Sequence, residues 1–331
     1  MSAAAVSYPK LIMENVSSVK DGEMTVLVTS MLCAFIMLCL IIKKSMSNDN
    51  LMKKPKVGQV KTIQSLKIDV FGISIEIKAR GAAVINAVKV VYPGAIENAS
   101  LVSKVSTALE KYGYNQKNTL LASSLCCDEV NRELEKEFAK KYGDNFSMGG
   151  LAGFPFCGKT SFGAMAHHIP QDGSCLIVYG PHVGIDSEGN IGKVNRRGRP
   201  GSGACCGSAT AAAAYVKGVK SGSVQKLAVP NTTDDAQQVW VSNMLLPYVD
   251  RLTAATNEAA ELPLCLFSAQ EQCMEKIVSS MCGEVAGVGK IALLGGIQIN
   301  TPEGTPDFFL PLKFEVRNNK GKKLDNLINK L

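Results

Sequence analysis

Residues 68–77 (IDVFGISIEI) alternate apolar and polar side chains, whereas residues 119–125 (TLLASSL) and 174–180 (SCLIVYG) are short apolar runs bounded by turn signals. Alternation predicts a half-buried strand, and a short apolar run predicts a buried one. Residues 95–112, opened by the breaker pair Pro93-Gly94, and residues 129–142 (EVNRELEKEFAKKY) carry apolar side chains at helical spacing. Residues 207–215 (GSATAAAAY) are strong helix formers. Two further helices are expected over 234–257 and 264–281, with Thr233 and Asp234 as N-cap candidates and Gly283 as a stop. Residues 290–299 (KIALLGGIQI) and 307–316 (DFFLPLKFEV) read as strands, 148–162 as a glycine-rich loop, and 323–331 as a short terminal helix. Buried strands interleaved with helices imply an α/β fold with a mainly parallel sheet flanked by helices.

Residues 24–42 (MTVLVTSMLCAFIMLCLII) break this pattern, because they carry no charge and no polar face. Their length suffices for one transmembrane helix, and Lys43-Lys44 follow directly where a signal peptide would have a small-residue cleavage site. Lys43, Lys44, Lys53, Lys54, Lys56 and Lys61 follow the run, against Lys10 and Lys20 before it. The positive-inside rule then places the larger part on the cytoplasmic or equivalent side, such as a chloroplast stroma. Residues 1–23 form a polar segment, 43–59 a basic linker, and 60–331 the folded domain.

A chain of 331 residues with 46% hydrophobic and 20% charged side chains buries a sizeable core and is not disordered. The net charge of +7 gathers in residues 43–67 and near Lys320, beside no nucleic-acid-binding signature, so nucleic acid is not an expected partner. The 11 cysteines are irregularly spaced, and two adjacent pairs suit metal ligation better than disulfides. A reducing compartment fits that usage.

Those pairs carry the candidate chemistry. Cys126-Cys127-Asp128 stands on the turn between a predicted strand and helix, His182 follows the apolar run 174–180, and Cys205-Cys206 opens the helix at 207. Strand ends of this kind are where open α/β sheets bind ligands. A catalytic zinc needs three protein ligands and an open position for water, and two cysteines with one histidine are an accepted set. Cys126, His182 and Cys206 form that set, with Cys127 and Cys205 as alternatives within each pair. Asp128 is placed to accept a hydrogen bond from water there, and Arg132, one turn later, to hold the carboxylate. The basic run Arg196-Arg197-Gly198-Arg199 could attract an anion such as bicarbonate, and His167 or His168 could pass protons to solvent. Residues 153–160 (GFPFCGKT) match the P-loop pattern, but no strand precedes them and Pro155 removes a donor, so nucleotide is not an expected ligand.

The stretches SSLCCDEVNRELE, GGLAGFPFCGKT, AHHIP, LIVYGPHVGID and GACCGSA together resemble the limiting CO2-inducible protein B/C family, also described as theta-class carbonic anhydrases. The resemblance covers roughly residues 67–316. It implies a fold and zinc site similar to beta-class carbonic anhydrase, zinc on Cys126, His182 and Cys206 with Asp128 beside it, a homodimer, and reversible hydration of CO2 to bicarbonate. It equally admits a catalytically silent relative that keeps zinc and acts as a membrane-tethered interaction protein. Beta-class enzymes place arginine two residues after the aspartate, whereas Arg132 comes four after Asp128. An apolar mouth for CO2 is expected near Phe154, Phe156 or Phe162.

Overall fold

The computed structural model describes Leu66–Val70, Ile73–Ile77 and residues 81–331, with side chains from residue 81 onward. The expected segments 1–23, 24–42 and 43–59 lie outside the described residues, which belong to one unit, Ile63–Leu331. Among the described residues no helix is long and apolar enough to cross a membrane.

In chain order the elements are β1 (Leu66–Val70), β2 (Ile73–Ile77), α1 (Ala82–Val91), β3 (Ile96–Glu97), α2 (Asn98–Glu110), β4 (Thr119–Ser124), α3 (Arg132–Tyr142), β5 (Asn145–Ser147), α4 (Gly158–His167), β6 (Ser174–Tyr179), β7 (His182–Gly184), β8 (Lys193–Val194) and β9 (Gly203–Ala204). They continue as α5 (Gly207–Ser221), α6 (Ala236–Leu245), α7 (Val249–Ala254), α8 (Glu258–Met281), β10 (Lys290–Asn300), β11 (Phe308–Asn318) and β12 (Lys323–Asn326). The central sheet runs β12-β11-β10-β6-β4-β5, with β3 on β11 and β7 on β10. Strands β5, β4, β6, β7 and β10 pair in parallel, while β11, β12 and β3 add an antiparallel flank.

Strand β6 is buried at every position because helices cover both faces of a parallel sheet. Its side chains divide by the strand's two-residue period. Cys175, Ile177 and Tyr179 join the core under α1, α4 and α8, whereas Leu176 and Val178 join Leu101, Leu109, Leu134 and Phe138 from α2 and α3. Truncating Phe138, which is 1% exposed, should cost about 3–5 kcal/mol. Helix α3 needs no help at its ends: Glu133 and Glu135 lie in its first turn and Lys140 and Lys141 in its last, as the helix dipole favours.

Several sequence expectations change. Residues 68–77 fall within an antiparallel pair of short strands, β1 and β2, and not one strand. The helix expected over 234–257 divides at a 3-10 turn, Leu246–Tyr248, which holds Pro247. Helix α8 starts at Glu258, ahead of Pro263, because Asn257 caps it by accepting from the Ala260 N–H at 3.1 Å. The terminal helix is replaced by β12 and a 3-10 turn, since β11 offers residues 323–326 a strand to pair with. Helix α1, with Val84 and Val88 buried one turn apart, had no counterpart in the sequence reading.

Candidate metal centre

Parallel strands β4 and β6 end side by side, so the residues after them share one edge of the sheet. Cys126 follows β4. His182 opens β7, which continues β6 along the same edge of β10, and the chain passes β10 so closely that a Cβ on Gly180 would lie 1.8 Å from the Gly296 carbonyl oxygen. Gly153, at a positive φ of 83°, packs the glycine-rich loop against the same place; its Cβ would be 2.3 Å from the Gly180 oxygen. Cys206 arrives from the other direction as the N-cap of α5, where the helix dipole favours a thiolate.

These elements bring three side chains together. One ligand atom each from Cys126, His182 and Cys206 lies within 4.8 Å of the others, and all three residues are buried. The two Sγ atoms are 4.0 Å apart. The ring of His182 is oriented by Asn300, whose Oδ1 lies 2.9 Å from Nδ1. Its Nε2 is buried without a hydrogen-bond partner.

Electrostatics point the same way. The hydrogen bond from Cys206, with help from His182 and against burial, holds the Cys126 thiol down to about 4. Cys206 moves up, because it shares its proton with Cys126 and is itself buried. Burial opposes charge on His182, yet the sulfurs of Cys205, Cys126 and Cys206 raise its proton affinity. Two thiols and an unpartnered imidazole nitrogen are costly as core filler. A divalent cation would neutralise two thiolates and take the Nε2 lone pair, and the donor set is one zinc accepts. The residues fit zinc. The structure also separates the members of each cysteine pair. Cys127 is exposed, and Cys205 Sγ sits 3.4 Å from Nδ1 and is not one of the three clustered ligands.

Asp128 lies beside this cluster, but Arg132 does not hold it. Asp128 is the N-cap of the 3-10 turn Glu129–Asn131, with extended φ and ψ, so the one-turn relation to Arg132 fails. Arg132 opens α3 and instead donates to the Cys126 carbonyl and pairs with Glu135 at 2.7 Å. The partner of Asp128 is Arg196 from the basic loop, which donates Nη1 to Oδ1 at 2.9 Å and Nη2 to Oδ2 at 2.8 Å. A planar guanidinium suits this two-point grip. Arg196 also donates to the Cys205 carbonyl at 2.7 Å and pairs with Glu129. Burial would raise the Asp128 pKa, but Arg196 outweighs it and holds the carboxyl at about 2.

A cavity of about 470 Å³ opens beside His182 and Cys206. Its walls are mostly apolar, among them Val183, Ile191, Ala209, Ala213, Leu262 and Leu266. The Lys217–Glu258 ion pair, 2.7 Å, stands on its lining. The aromatic mouth expected from sequence is elsewhere: Phe162 is in the sheet core, and Phe154 and Phe156 pack on Trp240 at centroid distances of 5.2 and 5.1 Å. His167 and His168 are not brought to the site either. They end α4, where the His168 ring packs edge-on against Phe146 of β5 at a centroid distance of 5.4 Å.

The sequence profile of the limiting CO2-inducible proteins B/C beta carbonic anhydrases matches residues 95–318. The chain belongs to this family. Its members thus supply a carbonic-anhydrase-related setting for the cluster. Among solved structures, PtLCIB4, a homolog of the limiting CO2-inducible protein LCIB, is 47% identical, with 74% of this chain and 100% of that chain covered and a TM-score of 0.70. LCIB itself has the same fold at 20% identity, covering 71% of this chain and 96% of that one, with a TM-score of 0.55. No curated protein matches in sequence.

Sequence reasoning placed Arg196 in an anion-attracting basic run and not on Asp128, and it missed Asn300, which orients His182. Arg196 carried only the weak signal of a basic run. A polar residue ending an apolar strand, as Asn300 does, was the one available hint of the second.

Proposed function

We propose that this chain catalyses the zinc-dependent, reversible hydration of CO2 to bicarbonate. The observation that carries the proposal is the buried set Cys126, His182 and Cys206, with an unpartnered Nε2, of which His182 and Cys206 line a mostly apolar cavity. Zinc held by these three residues would supply Lewis acidity that makes water a nucleophile near neutral pH. Asp128 stays ionised, so it accepts a hydrogen bond from the attacking water and orients it. Arg196, by gripping both carboxylate oxygens, keeps Asp128 from becoming a ligand. The apolar wall receives CO2 and gives no hydrogen bond that would retain it. Lys193, on the cavity lining, favours an anionic product.

A catalytically silent zinc protein would be expected to fill the fourth position with its own side chain. Among the described residues no fourth His, Cys, Asp or Glu joins the three, which favours the enzyme. The proposal includes residues 24–42 as a membrane tether, with the zinc domain on the lysine-rich side, and a second copy of the chain as partner. Resistance to alkaline carbonate washing and sedimentation of the purified protein test these two parts.

Stopped-flow CO2 hydration by the zinc-loaded chain is the decisive assay. Turnover well above buffer, lowered about 10²–10⁴-fold in Asp128→Ala while zinc is retained, is the expected result. No turnover by the zinc-loaded parent would refute the proposal.

A further inference from the structure

Asn300 closes β10 beside β7, and its side chain spans the space between His182 and the β10–β11 loop. Its amide nitrogen donates to two acceptors, the Val130 carbonyl at 3.0 Å and Asp307 Oδ2 at 3.2 Å. Neither a carbonyl nor a carboxylate can donate in return. A flipped amide would set Oδ1 against both of them and leave two buried acceptors unpaired. The amide therefore has one orientation, with Oδ1 facing His182 Nδ1 at 2.9 Å. Asp307 is itself fixed: Oδ1 accepts from the Thr301 N–H at 2.7 Å and the Thr301 hydroxyl at 3.2 Å, and Oδ2 also accepts from Gln298 at 3.3 Å.

An oxygen at that distance requires the ring proton to be on Nδ1. The lone pair is then on Nε2, the buried atom that lacks a partner. The opposite tautomer has a ready sponsor, because the Cys205 thiol lies 3.4 Å from Nδ1 and could donate to it. That would move the proton to Nε2 and block the ligand atom.

We infer that Asn300 and Asp307 are positioning residues that hold His182 in the Nδ1–H tautomer, so that Nε2 is the atom given to the metal. This rests on Cys126, His182 and Cys206 being a zinc site, though not on CO2 being the substrate. Outer partners of metal-bound histidines commonly act in this way, and losing one typically costs about 10–100-fold in metal affinity.

The test uses the full chain loaded with zinc and labelled with nitrogen-15 at histidine. With only 3 histidines in the sequence, two of them exposed, the buried ring is readily assigned. Long-range proton–nitrogen spectra should show the proton on His182 Nδ1 and the metal shift on Nε2; the reverse assignment would overturn the inference. Chelator competition then measures zinc affinity in variants. Asn300→Leu should weaken it about 10–100-fold, and Asp307→Asn less. The double change Asn300→Asp with Asp307→Asn, which keeps an acceptor for Nδ1 and a donor behind it, should recover most of the loss. Parental affinity in folded Asn300→Leu, or no recovery in the double variant, would contradict the inference. A chain that binds zinc with this tautomer yet leaves CO2 untouched would sink the proposed function alone. One that takes up no zinc would end both.

Discussion

The pairs Cys126-Cys127 and Cys205-Cys206 look interchangeable in sequence, yet the first member of one and the second member of the other face the metal centre. The first pair lies just past the end of β4, where Cys126 is buried and Cys127 meets solvent. The second pair precedes a helix, and Cys206 is its N-cap. Cys205 is buried as well, but against the Nδ1 edge of His182. One pair thus exposes its spare thiol, and the other stores it inside the site. Arg196 links the two by donating to Asp128 after the first pair and to the backbone of the second.

That contrast breaks most visibly at the ligands. Cys126→Ser and Cys206→Ser should each leave the purified chain with almost no zinc by elemental analysis, whereas the same change at the other member of either pair should not. Next comes the link between the pairs. Arg196→Met should retain zinc but lower CO2 hydration about 10–100-fold, while Arg132→Met, which breaks no bond to Asp128, should affect stability more than turnover. A smaller effect is expected for Cys205→Ala: zinc affinity should change by no more than the ~0.5–1.5 kcal/mol of one hydrogen bond in chelator competition. The smallest is Cys127→Ser, which should leave zinc content and turnover unchanged and shift stability by under about 0.5 kcal/mol. In the parent, Cys127 should be alkylated by iodoacetamide at alkaline pH with the metal in place. Protection of Cys127 would mean that something covers it in solution.

Much of this site was legible because strand ends and helix starts leave local signals. The apolar run ending at Tyr179 places His182, and the small-residue helix after Cys206 places the third ligand. Arg196 was not legible as the partner of Asp128, since the pairing depends on how β8, β9 and the loop between them fold back over the first turn. Arg132 looked right only if Asp128 belonged to the same helix, and the 3-10 turn between them removes that relation. Asn300 and Asp307 follow no spacing rule, and their roles emerge only from the β10–β11 hairpin. His167 and His168 were misplaced for a simple geometric reason: adjacency to a site loop does not reveal at which edge the next helix ends.

Zinc K-edge X-ray absorption on the zinc-loaded chain tests the central claim most directly, because it counts ligand types without depending on turnover. The expected shell is two sulfurs at about 2.3 Å and one imidazole nitrogen at about 2.0–2.1 Å, completed by a light atom from solvent. Three sulfurs, which would bring Cys205 or Cys127 onto the metal, or a shell without sulfur, would contradict it.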